Sequence, residues 1–146
     1  MKSGAKVKKI QLVDIQSNNS ALLGIVSAEP DYKLSLAINR KLKISLKNDH
    51  RISIISPVNN NLEFSRFSDH SGLHEQYFDL TSNRCGQEFL IRKLKNIDYI
   101  LQLHNPGNAE SVKKIISALK EIEGITAVLL LDRAKIKDKN LEYIIQ

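Results

Sequence analysis

Cysteine occurs once in this 146-residue sequence, at Cys85, so no disulfide can form within the chain. That excludes a small secreted domain held together by disulfides and fits a reducing cytoplasm. The N-terminus, MKSGAKVKKIQLVD, has basic residues but no apolar stretch able to serve as the core of a signal peptide. No run approaches the roughly 20 apolar residues that span a bilayer, which predicts a cytoplasmic protein with no membrane partner. Glycine is scarce, and its six copies form neither GxGxxG nor GxxxxGK[ST], so phosphate-cradling nucleotide loops are absent. Lipase-type GxSxG and zinc-protease HExxH are absent as well. The basic patches contain few interleaved aromatics and the four Phe fall at strand positions, which argues against a base-stacking surface.

What remains is an ordinary globular composition, 42% hydrophobic and 26% charged. A chain of this length is most simply one domain, residues 1–146, able to hide about 70% of its unfolded surface without metal or disulfide. The net charge of +6 is unevenly placed: Lys2, Lys6, Lys8 and Lys9 supply four of it with no acid among the first ten residues, leaving +2 for the rest. The reading is a near-neutral body behind a short basic tail of about residues 1–6.

Residues 7–13 (VKKIQLV) and 21–28 (ALLGIVSA) are rich in aliphatic and β-branched residues, and the turn signal QSNNS between them predicts a hairpin. After Pro30, residues Leu34, Ala37, Ile38 and Leu42 recur three or four apart, which predicts a helix near 31–42 with Lys33, Asn39, Arg40 and Lys41 outward or at its rim. From Lys43 the period drops to two. Ile44 and Leu46, Ile52 and Ile54, and Leu62 and Phe64 alternate with polar residues across the turns KNDH and SPVNNN. This predicts an antiparallel meander with one wet face, continued by Tyr77 to Leu80 and Glu88 to Ile91.

In LIRKLKNIDYILQ (90–102) an acid interrupts an apolar run. Strand alternation puts Ile97, Tyr99, Leu101 and Leu103 on one face and Asp98, Ile100, Gln102 and His104 on the other. NPGN then ends the strand and offers Asn108 as a helix N-cap. Val112, Ile115, Ile116, Leu119 and Ile122 make the best amphipathic pattern in the chain, stopped by Gly124. The continuous run ITAVLLL (125–131) reads as a strand covered on both faces. Strand, helix and strand of these lengths suggest a crossover. The fold class expected is α+β: a mostly antiparallel, mixed sheet of about seven to nine strands with two amphipathic helices packed on it.

These residues resemble a family of small bacterial proteins, known mainly from Bacteroidetes and named for the motif Ile-Pro-Glu-x-x-x-Val-Asp-Tyr (IPExxxVDY). The corresponding stretch runs from Ile91-Arg92-Lys93 to Ile97-Asp98-Tyr99, while GIVSAEPDYKLSLAIN, QYFDLTSN and IKDKNLEYI resemble further family segments in the same order. Asp31-Tyr32-Lys33-Leu34 and Asp98-Tyr99 match best; Arg92-Lys93 replaces Pro-Glu and reverses a charge. The resemblance implies no activity, since none is established for the family.

Three groups carry candidate chemistry. Asp31, Tyr32 and Lys33 with Asp98 and Tyr99 offer carboxylate, phenol and amine, a usable acid–base or binding set if helix start and strand converge. A structural role competes with that: Asp31 at the helix N-terminus, Tyr32 and Tyr99 at the core rim, and Lys33 or a backbone amide on Asp98. His70 and His74, flanked by Asp69 and Glu75, have metal-ligand types, but Ser71 and Gly72 between them do not fix the rings, so no metal site or cofactor is assigned. Cys85 has no local base and reads as incidental. The function expected is a non-catalytic binding or protein-interaction module, whose partner is another protein or a second copy. The alternatives are an RNA-associated protein using its tail with Lys135, Lys137 and Lys139, and a small enzyme centred on Asp31, Tyr32, Lys33, Asp98 and Tyr99.

Overall fold

The computed structural model describes residues 20–55, 61–71 and 76–145. In chain order the elements are β1 (Ser20–Ser27), α1 (Asp31–Leu42), β2 (Lys47–Asn48), β3 (Ile52–Ile55), β4 (Asn61–Phe64), β5 (Arg66–Asp69), β6 (Tyr77–Ser82), β7 (Arg84–Cys85), β8 (Glu88–Phe89), β9 (Tyr99–His104), α2 (Ala109–Lys120) and β10 (Ile125–Leu131). Two short 3-10 turns, Arg133–Lys135 and Lys139–Tyr143, close the chain.

A six-stranded sheet of order β10-β1-β9-β6-β5-β2 organises the molecule, and it is α+β as expected. Every pairing in it is antiparallel. The expected crossover exists, because β9 and β10 both run antiparallel to β1 and so parallel to each other. β1 lies between them, so no parallel ladder forms among the described residues.

Residues 7–13, the first arm of the expected hairpin, lie outside the described residues. Within the described residues β1 is paired on both sides, Leu22–Ser27 with β10 and Ser20–Ile25 with β9.

Alternation along the strands makes two cores. On the first face Leu23, Ile25, Leu80, Leu101 and Leu103 meet Leu34 and Ile38 of α1 and Val112 and Leu119 of α2. Each fully buried aliphatic side chain contributes about 1.5–3 kcal/mol. The α2 N-terminus is capped as expected, with Asn108 Oδ1 accepting the Ser111 N–H at 2.9 Å. Asn39 departs from expectation: it turns inward and holds Leu46 by both backbone groups, accepting its N–H at 2.7 Å and donating to its carbonyl at 3.2 Å.

The second face is covered too, which overturns the one-sided meander. β3 and β4 form a separate two-stranded sheet that delivers Ile52 and Phe64 to a second core with Leu22, Ile97, Ile100, Leu141 and Ile144. Among the described residues Glu88–Phe89 pairs with β7 alone, in a small hairpin turning at Gly86, and Leu90 and Ile91 plug the same core. Ile97 belongs there and not with Tyr99, because β9 starts only at Tyr99. β10 is an edge strand among the described residues, with Val128 buried and Leu129 50% exposed, so it is not covered on both faces.

Candidate functional site

The acid that interrupts the apolar run sits where three chain segments meet. Asp98 donates its own N–H to Ile25 O at 2.9 Å and accepts the Asn83 N–H on its carbonyl at 2.8 Å. Its carboxylate accepts the Ser27 N–H at 2.8 Å and pairs with Arg84 Nε at 2.7 Å. The ends of β1, β6 and β9 are thereby tied through one residue. Of the partners expected for Asp98, the backbone amide is realised; Lys33 instead pairs with Glu29 at 3.2 Å.

Tyr99 lies beneath this junction, 8% exposed, and its hydroxyl donates to Glu29 O at 2.6 Å. Burial, with the charges of Asp31, Asp98 and Glu29 adding to it, pushes the phenol up to about 12. Asp31, Asp98 and Tyr99 therefore occupy one corner. Asp31 Oδ1 accepts the Tyr32 N–H at 2.7 Å, a first-turn carboxylate at a helix N-terminus. Tyr32 leaves the group: it is 63% exposed and does not fill the core rim. Four positions on, Leu36 is 51% exposed, and Arg40 continues the same outward stripe of α1.

Asn83 completes the corner from inside. Fully buried, it accepts the Ile91 N–H at 2.8 Å and donates to the carbonyls of Leu94 and Ile97, each at 2.9 Å. The irregular stretch 90–97 is thus hydrogen-bonded to a side chain where a ladder is lacking. The Arg92 N–H donates to Asp138 Oδ2 at 3.2 Å, tying this stretch to the C-terminal turn.

A second polar group, absent from the sequence-based candidates, lies at the opposite end of the sheet on its second face. Asp79 of β6, with a side chain 2% exposed, receives His104 Nε2 at 2.7 Å, His70 Nε2 at 3.0 Å, Arg66 at 3.3 Å and the Ser68 hydroxyl. Burial alone would push its carboxyl up. The hydrogen bonds from His104 and Ser68, the Arg66 guanidinium and the His70 hydrogen bond outweigh that and hold it well below the usual carboxylate range. Tyr77 closes the group, its ring 5.1 Å from that of His70 and 6.2 Å from that of His104. Two buried atoms here have no partner, Arg66 Nε and Gln102 Oε1.

His70 is thus bound to Asp79, while His74 and Glu75 lie outside the described residues. Asp69 is spent locally, accepting the Ser45 and Ser71 N–H groups at 2.7 and 2.9 Å. Among the described residues no group of three or more His, Cys, Asp or Glu is arranged to hold a metal ion. Cys85 is a half-buried free thiol in β7. Among the described residues no helix is long and apolar enough to cross a membrane. Compared with known proteins, the chain matches no protein-family model and no curated protein.

Proposed function

We propose that the protein is a non-catalytic interaction module of the cytoplasm that engages another protein through the outer stripe of α1. The observation that supports this reading is the outward pair Tyr32 and Leu36, large apolar side chains one helical turn apart. Arg40 and Lys43 extend the stripe without an ion-pair partner among the described residues, so the matching surface is apolar at its centre and acidic at its rim. By contrast, the groups best suited to acid–base chemistry are engaged inside the corner. Asp98 is held by Ser27 and Arg84, and a phenol shifted to about 12 is a poor proton donor at neutral pH.

Kinship with the IPExxxVDY family is proposed on the matching segments of the sequence; in this chain the Asp98-Tyr99 pair ties the ends of the strands together.

The test is a pull-down from cytoplasm with wild type, a Tyr32→Ser/Leu36→Ser double variant and Asp98→Asn, at low and moderate salt, with sedimentation to detect self-association. A salt-resistant partner, or a dimer, lost only in the double variant is the expected result. Metabolite turnover abolished by Asp98→Asn would replace this reading with an enzyme.

One observation favours a second reading. Lys135, Lys137 and Lys139 are exposed and form no ion pair among the described residues, as an RNA-backbone contact requires. Binding of that kind weakens steeply with salt, so RNA that stays bound at moderate salt argues against it.

A further inference from the structure

At the Asp79 end of the second face, cationic and hydrogen-bond-donating groups outnumber acceptors. Arg66, Ser68 and His70 come from β5 and its end, Tyr77 and Asp79 from β6, and His104 from β9; Asp79 is the carboxylate between the two imidazoles, and Asp49 adds a second beside Ser68 and Arg66. Asp79 already accepts four of these groups, and Arg66 Nε remains buried without an acceptor. One further cation reaches the row. Arg133, just past β10, donates from NH2 to Ser20 Oγ, and Ser20 is the direct cross-strand neighbour of His104. Side chains so paired have Cβ atoms about 4.5–5.5 Å apart, so guanidinium, hydroxyl and imidazole stand side by side. Arg133 has no carboxylate partner among the described residues.

The protonation pattern of this row is set by Asp79. An ionised carboxylate only accepts, so His104 must present Nε2–H to it, which leaves Nδ1 of the neutral ring as an acceptor. Ser20 Oγ accepts from Arg133, so its own proton is available to donate. The row therefore offers donors from Arg133 and Ser20 and one acceptor on His104.

We propose that Arg133, Ser20 and His104 form a binding site for hydrogen phosphate. Its charged oxygens take the Arg133 and Ser20 donors, and its P–OH donates to His104 Nδ1. Sulfate has the same shape but no O–H at neutral pH, so it leaves the imidazole acceptor facing an anion. A phosphomonoester, mostly a dianion at pH 7 because its second pKa is about 6, lacks the hydrogen too. The ligand is thus free phosphate in preference to a phosphorylated chain or lipid. Tyr77, the β6 neighbour of His104, and Arg66 and His70 from β5 and its end lie on the side of that ring away from Ser20 and are not part of the site.

The test is an NMR titration of the full chain at pH 7.5 and constant ionic strength, following the His104 imidazole and the Ser20 amide, with sodium phosphate, sodium sulfate and phenyl phosphate as probes. Saturable shifts with phosphate, and binding weaker by about tenfold or more for sulfate and phenyl phosphate, are expected. Arg133→Gln weakens phosphate by a similar factor of about ten, while Lys135→Gln leaves it unchanged. Ser20→Ala is the second variant should Arg133→Gln disturb the fold, which the same spectra reveal. Shifts that rise without saturation, equal affinity for sulfate, or phosphate binding untouched in both Arg133→Gln and Ser20→Ala would each overturn the site.

Discussion

The Asp98 carboxylate accepts the backbone N–H of Ser27 at 2.8 Å across 71 positions of sequence. The acid that interrupts the apolar run 90–102 is thus a clamp between the ends of β1 and β9, with its second oxygen on Arg84. Asp98→Asn keeps an acceptor for Ser27 but loses the charge. It is expected to cost about 1 kcal/mol, and Asp98→Ala about 2–3 kcal/mol, because the Ser27 amide is then left without its partner. Urea midpoints read both. An Ala variant as stable as wild type would remove the clamp from the fold's support.

Asn83 sets a second case. Its side chain serves the Ile91 N–H and the Leu94 and Ile97 carbonyls in a fully buried position. Asn83→Ala takes the partner from the Ile91 N–H and the Ile97 carbonyl, while the Leu94 carbonyl still accepts the Ile97 N–H, and since each unsatisfied buried group costs about 1–3 kcal/mol, a loss of at least about 2 kcal/mol is expected. Asn83→Asp should fare no better, because an acid cannot donate to two carbonyls. Hydrogen exchange of the Ile91 and Ile97 amides locates the damage: protection falls there before it falls in β9.

Tyr99 gives the fold an alkaline limit. Its phenol is raised from 10.0 in the free residue to about 12. A group raised on folding contributes stability that is fully present below its unfolded value and is lost as pH rises through the folded one. Stability should therefore decline between pH 10.0 and about 12 in wild type, and Tyr99→Phe should flatten that part of the decline. At neutral pH the variant loses the bond to Glu29 O, an expected cost of about 1 kcal/mol. Denaturant midpoints across the alkaline range check both statements, and equal slopes for the two proteins would place the ionisation elsewhere.

Local pattern carried the parts of this fold whose cause is local. The helix repeats of Leu34 and Ile38 and of Val112 and Leu119 and the Asn108 cap were readable, because period and turn chemistry act within a few residues, although α2 ends at Lys120, short of the stop expected at Gly124. Pairing was not. The run 125–131 is apolar throughout, and only its place at the sheet edge decides that Leu129 faces outward. The five residues proposed as a site divide for the same reason. Asp98 and Tyr99 share a corner with Asp31 because β1, β9 and α1 meet there, while Tyr32 projects outward and Lys33 pairs with Glu29. The Asp79 group was missed outright. Its one signal, an acid between Phe78 and Leu80, acquires meaning only when strand register sets Asp79 opposite Ser68 and Gln102, one step from His104. Register depends on partners far away in sequence, which no local window contains.

Asp79 makes the opposite pH prediction to Tyr99. Its carboxyl is held below the ordinary 3.8, so it contributes stability above that value, and the contribution is lost as pH falls toward its folded value. Asp69 is lowered as well, so wild type alone cannot isolate the effect, whereas comparison with Asp79→Asn can. At pH 7 the variant removes the carboxylate paired with the half-buried Arg66 guanidinium and turns an amide N–H toward His104 or His70, both donors. A loss of about 3 kcal/mol or more is expected there. As pH falls below 3.8 the unfolded carboxyl takes up a proton that the folded one does not, and the difference between the two proteins should narrow from there toward the folded value. The ordering of these costs also separates the two polar ends of the sheet. Asp98 is partly solvated and shares its load with backbone bonds, so its removal is milder, while buried Asp79 holds Arg66, His70 and His104 at once. If wild-type and Asp79→Asn stability curves ran parallel through the acid range, the charge on Asp79 would have no part in holding β5 to the sheet.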